Sequence, residues 1–235
     1  MNKFSISIII PTLNEEEWIR KCIETVRTNA ADKSIEIIVV DCGSNDQTLD
    51  QIPYWINCIE LPKNKGFKSK SLNAGAEQAK GDVLIFLDAD TILPMDFDDL
   101  IMTKLQDKNC VGGAFEFEFD RKTMALNMVV FLNRIRYRLR KRYYGDQAVF
   151  ARKTDFWKVG GYPTIRIMET AHLCKNLQKV GHLSLIKKPI ITSSRRFHEN
   201  GIFTTFLNDS IIWFKDLIGL DVQKYADAYW QKNEI

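Results

Sequence analysis

Val83-Leu84-Ile85-Phe86-Leu87-Asp88-Ala89-Asp90 decides how this 235-residue chain folds. Five apolar residues run without a polar break and stop at two carboxylates. A half-wet strand alternates apolar and polar residues; a strand that is apolar throughout is covered on both faces. The same grammar recurs upstream. Residues 6–10 read as a buried, isoleucine-rich strand halted by Pro11. Residues 35–40 read as another, ending in the turn residues Asp41-Cys42-Gly43-Ser44-Asn45-Asp46. Residues 56–61 make a further strand.

Helical segments separate these strands. Residues 15–28 place Trp18, Ile19, Cys22, Ile23 and Val26 at helical spacing, with Asn14 as the expected N-cap and glutamates in the first turn. A short helix follows residue 46, and residues 69–79 form another before Gly81. Pro94 is expected near the first position of the next helix. Buried strands separated by helices predict an α/β, Rossmann-like fold with a mostly parallel central sheet and helices on both faces.

The second half is less regular. Residues 111–119 and 190–194 read as strands, and 122–144, 154–159, 170–180 and 202–218 as helices. No repeat, low-complexity linker or boundary divides the chain. The expectation is one domain over 1–235, made of a regular half at 1–110, a less regular half at 111–200, and C-terminal helices at 201–235.

Composition narrows the function classes. A net charge of +3 is too small for general nucleic-acid binding, and no nucleic-acid motif accompanies it. Five cysteines, an odd number with no CxxC pair, argue against a disulfide framework and a zinc site. No stretch approaches the roughly 18 apolar residues that span a bilayer, and the N-terminal apolar run is too short for a signal-peptide core. The expected location is cytoplasmic, peripheral to the inner membrane face.

Open parallel sheets bind ligands beyond the carboxyl ends of their strands. Three such ends are polar here: Pro11-Thr12-Leu13-Asn14-Glu15, Asp41, and Asp88-Ala89-Asp90. Two carboxylates two residues apart repel without a counter-charge. Mg²⁺ or Mn²⁺ supplies it, taking one or two carboxylates plus phosphate oxygens, and neutralises a departing diphosphate. Lys65, Lys68 and Lys70 precede a helix and suit a diphosphate.

The ordered set Ile8-Ile9-Ile10-Pro11-Thr12-Leu13-Asn14-Glu15, Ile38-Val39-Val40-Asp41 with Gly43-Ser44, and Phe86-Leu87-Asp88-Ala89-Asp90 resembles family 2 glycosyltransferases of the GT-A fold. Gly145-Asp146-Gln147-Ala148-Val149-Phe150, Val159-Gly160-Gly161-Tyr162 and Ile167-Met168-Glu169 resemble a compact bacterial subgroup. The resemblance covers about residues 4 to 200. It implies an inverting, metal-dependent hexosyltransferase using a nucleotide diphosphate sugar, with UDP favoured. Asp41 would accept a hydrogen bond from a pyrimidine, and Thr12 and Glu15 would lie around base and ribose. Asp88 would lie near ribose or metal, and Asp90 would ligate the metal. Asp146 and Gln147 would line the sugar or acceptor side, and Lys70 would be the basic residue of the diphosphate site. Arg195 and Arg196 are candidates for the diphosphate, and His198 for a third metal ligand.

One position departs from the family. Where Glu-Asp is usual, this chain has Glu169-Thr170. The aspartate is the expected general base; Glu169 is left to serve. The alternative is a catalytically impaired nucleotide-sugar-binding or scaffold protein with the same fold. A nucleotidyltransferase would carry a Gly-rich, basic loop where this chain has Pro11–Glu15. The acceptor is expected to be lipid-linked or a glycan. The basic stretch 134–144, interleaved with tyrosines and leucine, suits an anionic membrane surface or a lipid diphosphate, and 202–218 suits core packing, a dimer face or membrane contact.

Overall fold

The computed structural model describes residues 5–61 and 67–231. The chain lays down β1 (Ile6–Thr12), α1 (Ile19–Asn29), β2 (Glu36–Asp41), α2 (Thr48–Gln51), β3 (Asn57–Glu60), α3 (Lys68–Gln78), β4 (Val83–Phe86), β5 (Thr91–Ile92) and α4 (Phe97–Leu105). There follow β6 (Cys110–Phe119), α5 (Met124–Arg140), β7 (Phe150–Arg152), α6 (Lys153–Lys158), α7 (Glu169–Leu177), β8 (His182–Thr192), α8 (Arg195–Glu199), α9 (Ile202–Leu217) and α10 (Ala226–Gln231).

Eight strands form one sheet in the order β3-β2-β1-β4-β7-β6-β8-β5. β3, β2, β1 and β4 are parallel neighbours, as are β6 and β8; β7 runs antiparallel to both β4 and β6, and β5 antiparallel to β8. The sheet is therefore mixed, two parallel blocks joined through β7. Ile8, Ile9, Ile10, Ile38, Val39, Val40, Leu84 and Ile85 are fully buried, each contributing roughly 1.5–3 kcal/mol by leaving water. Helix α3 lies close against this floor because residue 75 is glycine: a Cβ there would stand 2.4 Å from Ile9 Cγ2.

Register explains why polar strand ends meet. Thr12 pairs with Asp41 across β1 and β2, and Ile9 with Phe86 across β1 and β4. The residues following β4 therefore emerge on the same edge as the turn following β1.

Several expected boundaries shift for local reasons. Asn14 is not a helix cap: α1 begins at Ile19, and Asn14 adopts a left-handed backbone (φ 55°). Its side-chain oxygen accepts from the Asn45 backbone N–H at 2.8 Å, and its own N–H donates to Ser44 Oγ at 2.9 Å. The loop after β1 is thus tied to the loop after β2 rather than wound into helix. Pro94 precedes α4 by three positions, since Asp96 at φ 57° starts that helix at Phe97. The basic helix ends at Arg140, closed by Lys141 at φ 49°, and Tyr143 returns to the core. β8 is longer than the expected 190–194 because Lys187-Lys188-Pro189 hides its pattern; a register shift between Phe115 and Glu116 of β6 absorbs the extra residues.

Candidate active site

A cavity of about 500 Å³ opens over the carboxyl ends of β1 and β4. Its floor is Pro11–Glu15 and Asp88–Asp90. One wall is Gly145 and Asp146, Met168–Ala171 at the start of α7, and Lys68. The opposite wall comes from Asn133, Arg136 and Tyr137 of α5, Arg195 and Arg196 of α8, and Phe206, Asp209, Ile212 and Trp213 of α9, with Tyr229 of α10.

Charge is arranged in pairs. Lys68, from the first turn of α3, pairs with Asp88. Arg195 pairs with Glu15 and also lies 3.6 Å from Asp90 Oδ2 through its Nε. Arg196 pairs with Asp209. Gly145 makes room for the first of these: a Cβ there would stand 3.1 Å from Lys68 Nζ and 3.4 Å from Asp88 Oδ2.

Burial strains these acids toward their neutral forms. It pushes the Glu15 carboxyl up to about 7, against the opposing pull of Arg195. It pushes Asp146 up to about 6, with the Asp88 charge adding to it. Asp90 is raised by burial and then by Asp88, and Glu169 by burial, with Lys68 opposing. Glu15 Oε2, Asp146 Oδ1 and the Tyr144 hydroxyl are buried with no hydrogen-bond partner among the described residues. Buried polar atoms are ordinarily satisfied, and these three belong to residues that line the cavity.

The donor chemistry fits a divalent cation of the Mg²⁺ or Mn²⁺ kind. Asp88 and Asp90 are hard oxygen donors at the strand end, and each already borrows a cationic side chain. Among the described residues no cluster of three or more metal-ligating side chains exists. A site of one or two carboxylates completed by phosphate oxygens and water is how such ions bind beside phosphates.

Pro11, Thr12, Asn14, Glu15, Lys68, Asp88, Ala89, Asp90, Gly145, Asp146, Glu169, Arg195 and Arg196 all line the cavity. Four expected residues are placed elsewhere. Asp41 lies beneath the cavity, its carboxylate accepting from Thr12 Oγ1 at 3.2 Å, Ser44 Oγ at 2.5 Å, Gly43 N–H at 2.9 Å and Ser44 N–H at 3.0 Å. Gln147 is fully buried and braces the 145–147 turn, donating to the Phe115 carbonyl at 3.0 Å and accepting from the Tyr144 N–H at 3.2 Å. Lys70 is exposed, its ammonium 4.4 Å from the centre of the Phe67 ring, so the cation beside Asp88 is Lys68 instead. His198 is exposed on α8 and is not part of the cavity lining. Lys65 lies outside the described residues.

At the departure, Thr170 donates to Glu169 Oε1 at 3.4 Å. His172 faces away from this chemistry and joins Asp216 at 2.7 Å, linking α7 to α9. The sequence reading missed Tyr144, Asp209, Trp213 and Tyr229 as lining. Asp209 left a trace, one acid four residues before Trp213 within a helix otherwise read for its apolar face. Nothing local marks Tyr229.

The sequence profile of glycosyl transferase family 2 matches residues 7–157, well over half of the chain. The poly(ribitol-phosphate) beta-N-acetylglucosaminyltransferase TarS of Staphylococcus aureus is 33% identical over 96 residues, covering 38% of this chain and 16% of TarS. The undecaprenyl-phosphate 4-deoxy-4-formamido-L-arabinose transferase of Pectobacterium atrosepticum is 41% identical over 97 residues, 37% of this chain and 29% of that protein. This chain thus matches under a third of either relative's length. In structure, S. aureus TarS with UDP-GlcNAc superposes with a TM-score of 0.65 at 16% identity, over 81% of this chain and 59% of that one. A mannosyltransferase of Pyrobaculum calidifontis with GDP-Man and Mn²⁺ gives 0.65 at 18% identity, over 90% and 65%. The profile match and the mixed sheet lead to one conclusion: the chain belongs to glycosyl transferase family 2 and has the GT-A fold.

Proposed function

We propose that this glycosyltransferase moves a hexosyl group from a UDP-sugar to an acceptor hydroxyl on a lipid-linked or glycan molecule, with inversion at the anomeric carbon. The observation that carries this is the pairing of Asp88 and Asp90 with Lys68 and Arg195 on the floor of the cavity. Those cations serve as counter-charges when the carboxylates are alone. Asp90 and Asp88 would hold a divalent ion, which would leave Lys68 and Arg195 available to the diphosphate. When bound, that ion supplies positive charge to a departing nucleoside diphosphate. Asp41, already saturated, shapes the base end from beneath by holding Thr12 and the turn at Gly43 and Ser44. UDP is favoured by the S. aureus neighbour's UDP-GlcNAc.

Glu169 is the base. The acceptor oxygen attacks the anomeric carbon from the face opposite the diphosphate. As that bond forms, the bond to the diphosphate breaks and takes its electron pair, and the hydroxyl proton passes to Glu169. Burial raises the affinity of Glu169 for that proton, and the Thr170 hydroxyl orients it. We assign the whole of 1–235 to one domain, supported by the single sheet that both halves build.

Calorimetry with UDP and Mn²⁺ tests the donor site. Metal-dependent binding is expected in the wild type and loss of it in Asp90→Ala; binding unchanged by that substitution overturns the assignment. Thr170 supports a second reading, a donor-binding protein without turnover. Transfer or donor hydrolysis that falls roughly 10²–10⁴-fold in Glu169→Gln, with donor affinity retained, decides for the enzyme. Tight binding with no turnover decides for the binding protein.

A further inference from the structure

Helix α5 is amphipathic in an unusual sense. Its buried face is Leu126, Val129, Val130 and Tyr137. Its opposite face is apolar too: Met124, Met128, Phe131, Leu132, Ile135 and Leu139 are all exposed, Leu139 at 79%. Their spacing of four, three, one, three and four keeps them in one stripe on the side facing away from the core. Helix α9 repeats the device. Phe203, Leu207, Ile211, Phe214 and Ile218 are exposed at the same kind of spacing, Phe203 at 79%.

The two stripes form one surface. Arg136 lies over the Trp213 ring at 5.4 Å, and Arg142 lies 3.8 Å from Asp216. At 3.6 residues per turn, Arg136 is about a quarter turn from the α5 stripe, and Trp213 about a third of a turn the other way from the α9 stripe. The contact is lateral and both stripes face outward. The helices have 17 and 16 residues, each roughly 25 Å long. An apolar face of this extent marks an interaction surface.

Charge selects its occupant. Residues 121–144 carry eight basic residues and no acid; Lys122, Arg134 and Arg138 pair with Glu116 and Glu118 of β6, and Arg142 with Asp216, while Arg121, Arg140 and Lys141 are exposed. Arg140 and Lys141 end the α5 stripe in exposed positions. The two acids of α9 are turned off the outer face, Asp209 to Arg196 and Asp216 to His172 and Arg142. A two-fold dimer would set this basic patch against itself. An anionic membrane surface instead takes the apolar side chains into its interface and the basic ones at its headgroups. No helix among the described residues is long and apolar enough to cross a membrane, so such contact would be along the surface.

We propose that the α5–α9 face docks on an anionic lipid bilayer. The inner flanks of the same helices line the cavity through Asn133, Arg136, Ile212 and Trp213. Docking therefore places the cavity beside the lipid headgroups. Binding is measured without donor or metal, so its outcome is separable from that of the transferase reading.

The test is co-flotation of the full chain with vesicles of phosphatidylcholine alone or with phosphatidylglycerol added. Binding to the anionic vesicles is expected, weakened by salt and much weaker on the neutral ones. Phe131→Asp with Leu139→Asp, and separately Phe203→Asp with Phe214→Asp, should each lower partitioning about tenfold or more, with unchanged circular dichroism. Arg140→Gln with Lys141→Gln, at exposed positions, should lower it on the order of 30-fold and flatten the salt dependence. A wild type that stays unbound on anionic vesicles overturns the proposal, as does binding that none of these variants weakens. A concentration-dependent dimer dissolved by Phe131→Asp, with no vesicle binding, overturns it in favour of self-association.

Discussion

Asp146 shows what a cavity of this kind costs the molecule. Its carboxyl is held at about 6 by burial and by the Asp88 charge, and Oδ1 has no hydrogen-bond partner. The unfolded chain ionises the same group near 3.9. Folded protein therefore binds the proton more tightly, and a stability penalty grows as pH rises from about 4 to about 6 and is fully present above that. Asp146→Asn keeps the shape and removes the charge. It should raise the melting temperature at pH 8, reflecting a stability gain on the order of 3 kcal/mol, and give almost no gain at pH 4. Melting curves of both proteins at the two pH values check this; an equal gain at both would show that charge burial is not the cause. The residue types of this site were legible in the sequence, because Asp88-Ala-Asp90 and Pro11–Glu15 sit where strands stop. Which lysine stands beside Asp88 was not. Lys68 and Lys70 differ by two positions on α3, about 200° around a helix, and only the packing of α3 on the sheet decides that Lys68 faces Asp88.

That packing rests on one glycine. A Cβ at residue 75 would lie 2.4 Å from Ile9 Cγ2 and 3.1 Å from Val40 Cγ2, both in the filled core under α3. Gly75→Val should force the helix off the sheet and cost on the order of 3 kcal/mol, read as a lower urea midpoint. Because α3 carries Lys68, affinity for UDP should fall too, although residue 75 does not line the cavity. Unchanged stability would mean that α3 is more loosely seated than its contacts indicate. Elements whose pattern is local could be read in advance: β1, β2 and β4 are apolar runs bounded by turn residues. β7 could not, since three residues carry no period, and its antiparallel place between β4 and β6 is set by long-range pairing. Asn14 misled for a related reason. Its preference for capping is real, but Ser44 and Asn45 from another loop satisfy it first.

Across the whole molecule, stability is unevenly distributed in a way that bears on ligand binding. β1, β2 and β4 sit in one large core that excludes water. Of the residues of α9, only Thr205 is buried, although Phe206, Ile212 and Trp213 help to line the cavity. The helix is held to the rest by Ile202 and Phe206 against the main core, by Arg196–Asp209, by Asp216 with His172 and Arg142, and by Ile212 against a small satellite core of Ile167, Val222 and Ala226. Few buried apolar contacts and many exposed ones place a segment at the low end of local stability. Residues 202–231 should therefore exchange amide hydrogens well before residues 6–12 and 83–86. Tyr229 and Asp209 face the same cavity as Asp90, so a ligand spanning it joins this segment to the stable half. Hydrogen exchange followed by mass spectrometry, with and without UDP-sugar and Mn²⁺, measures both effects. Slower exchange at 202–231 on adding donor, absent in Asp90→Ala, is the expected result. Protection confined to residues 11–15 and 88–90 would mean that the C-terminal helices stand beside the donor without closing on it, and their wall of the cavity would then be open to the acceptor alone.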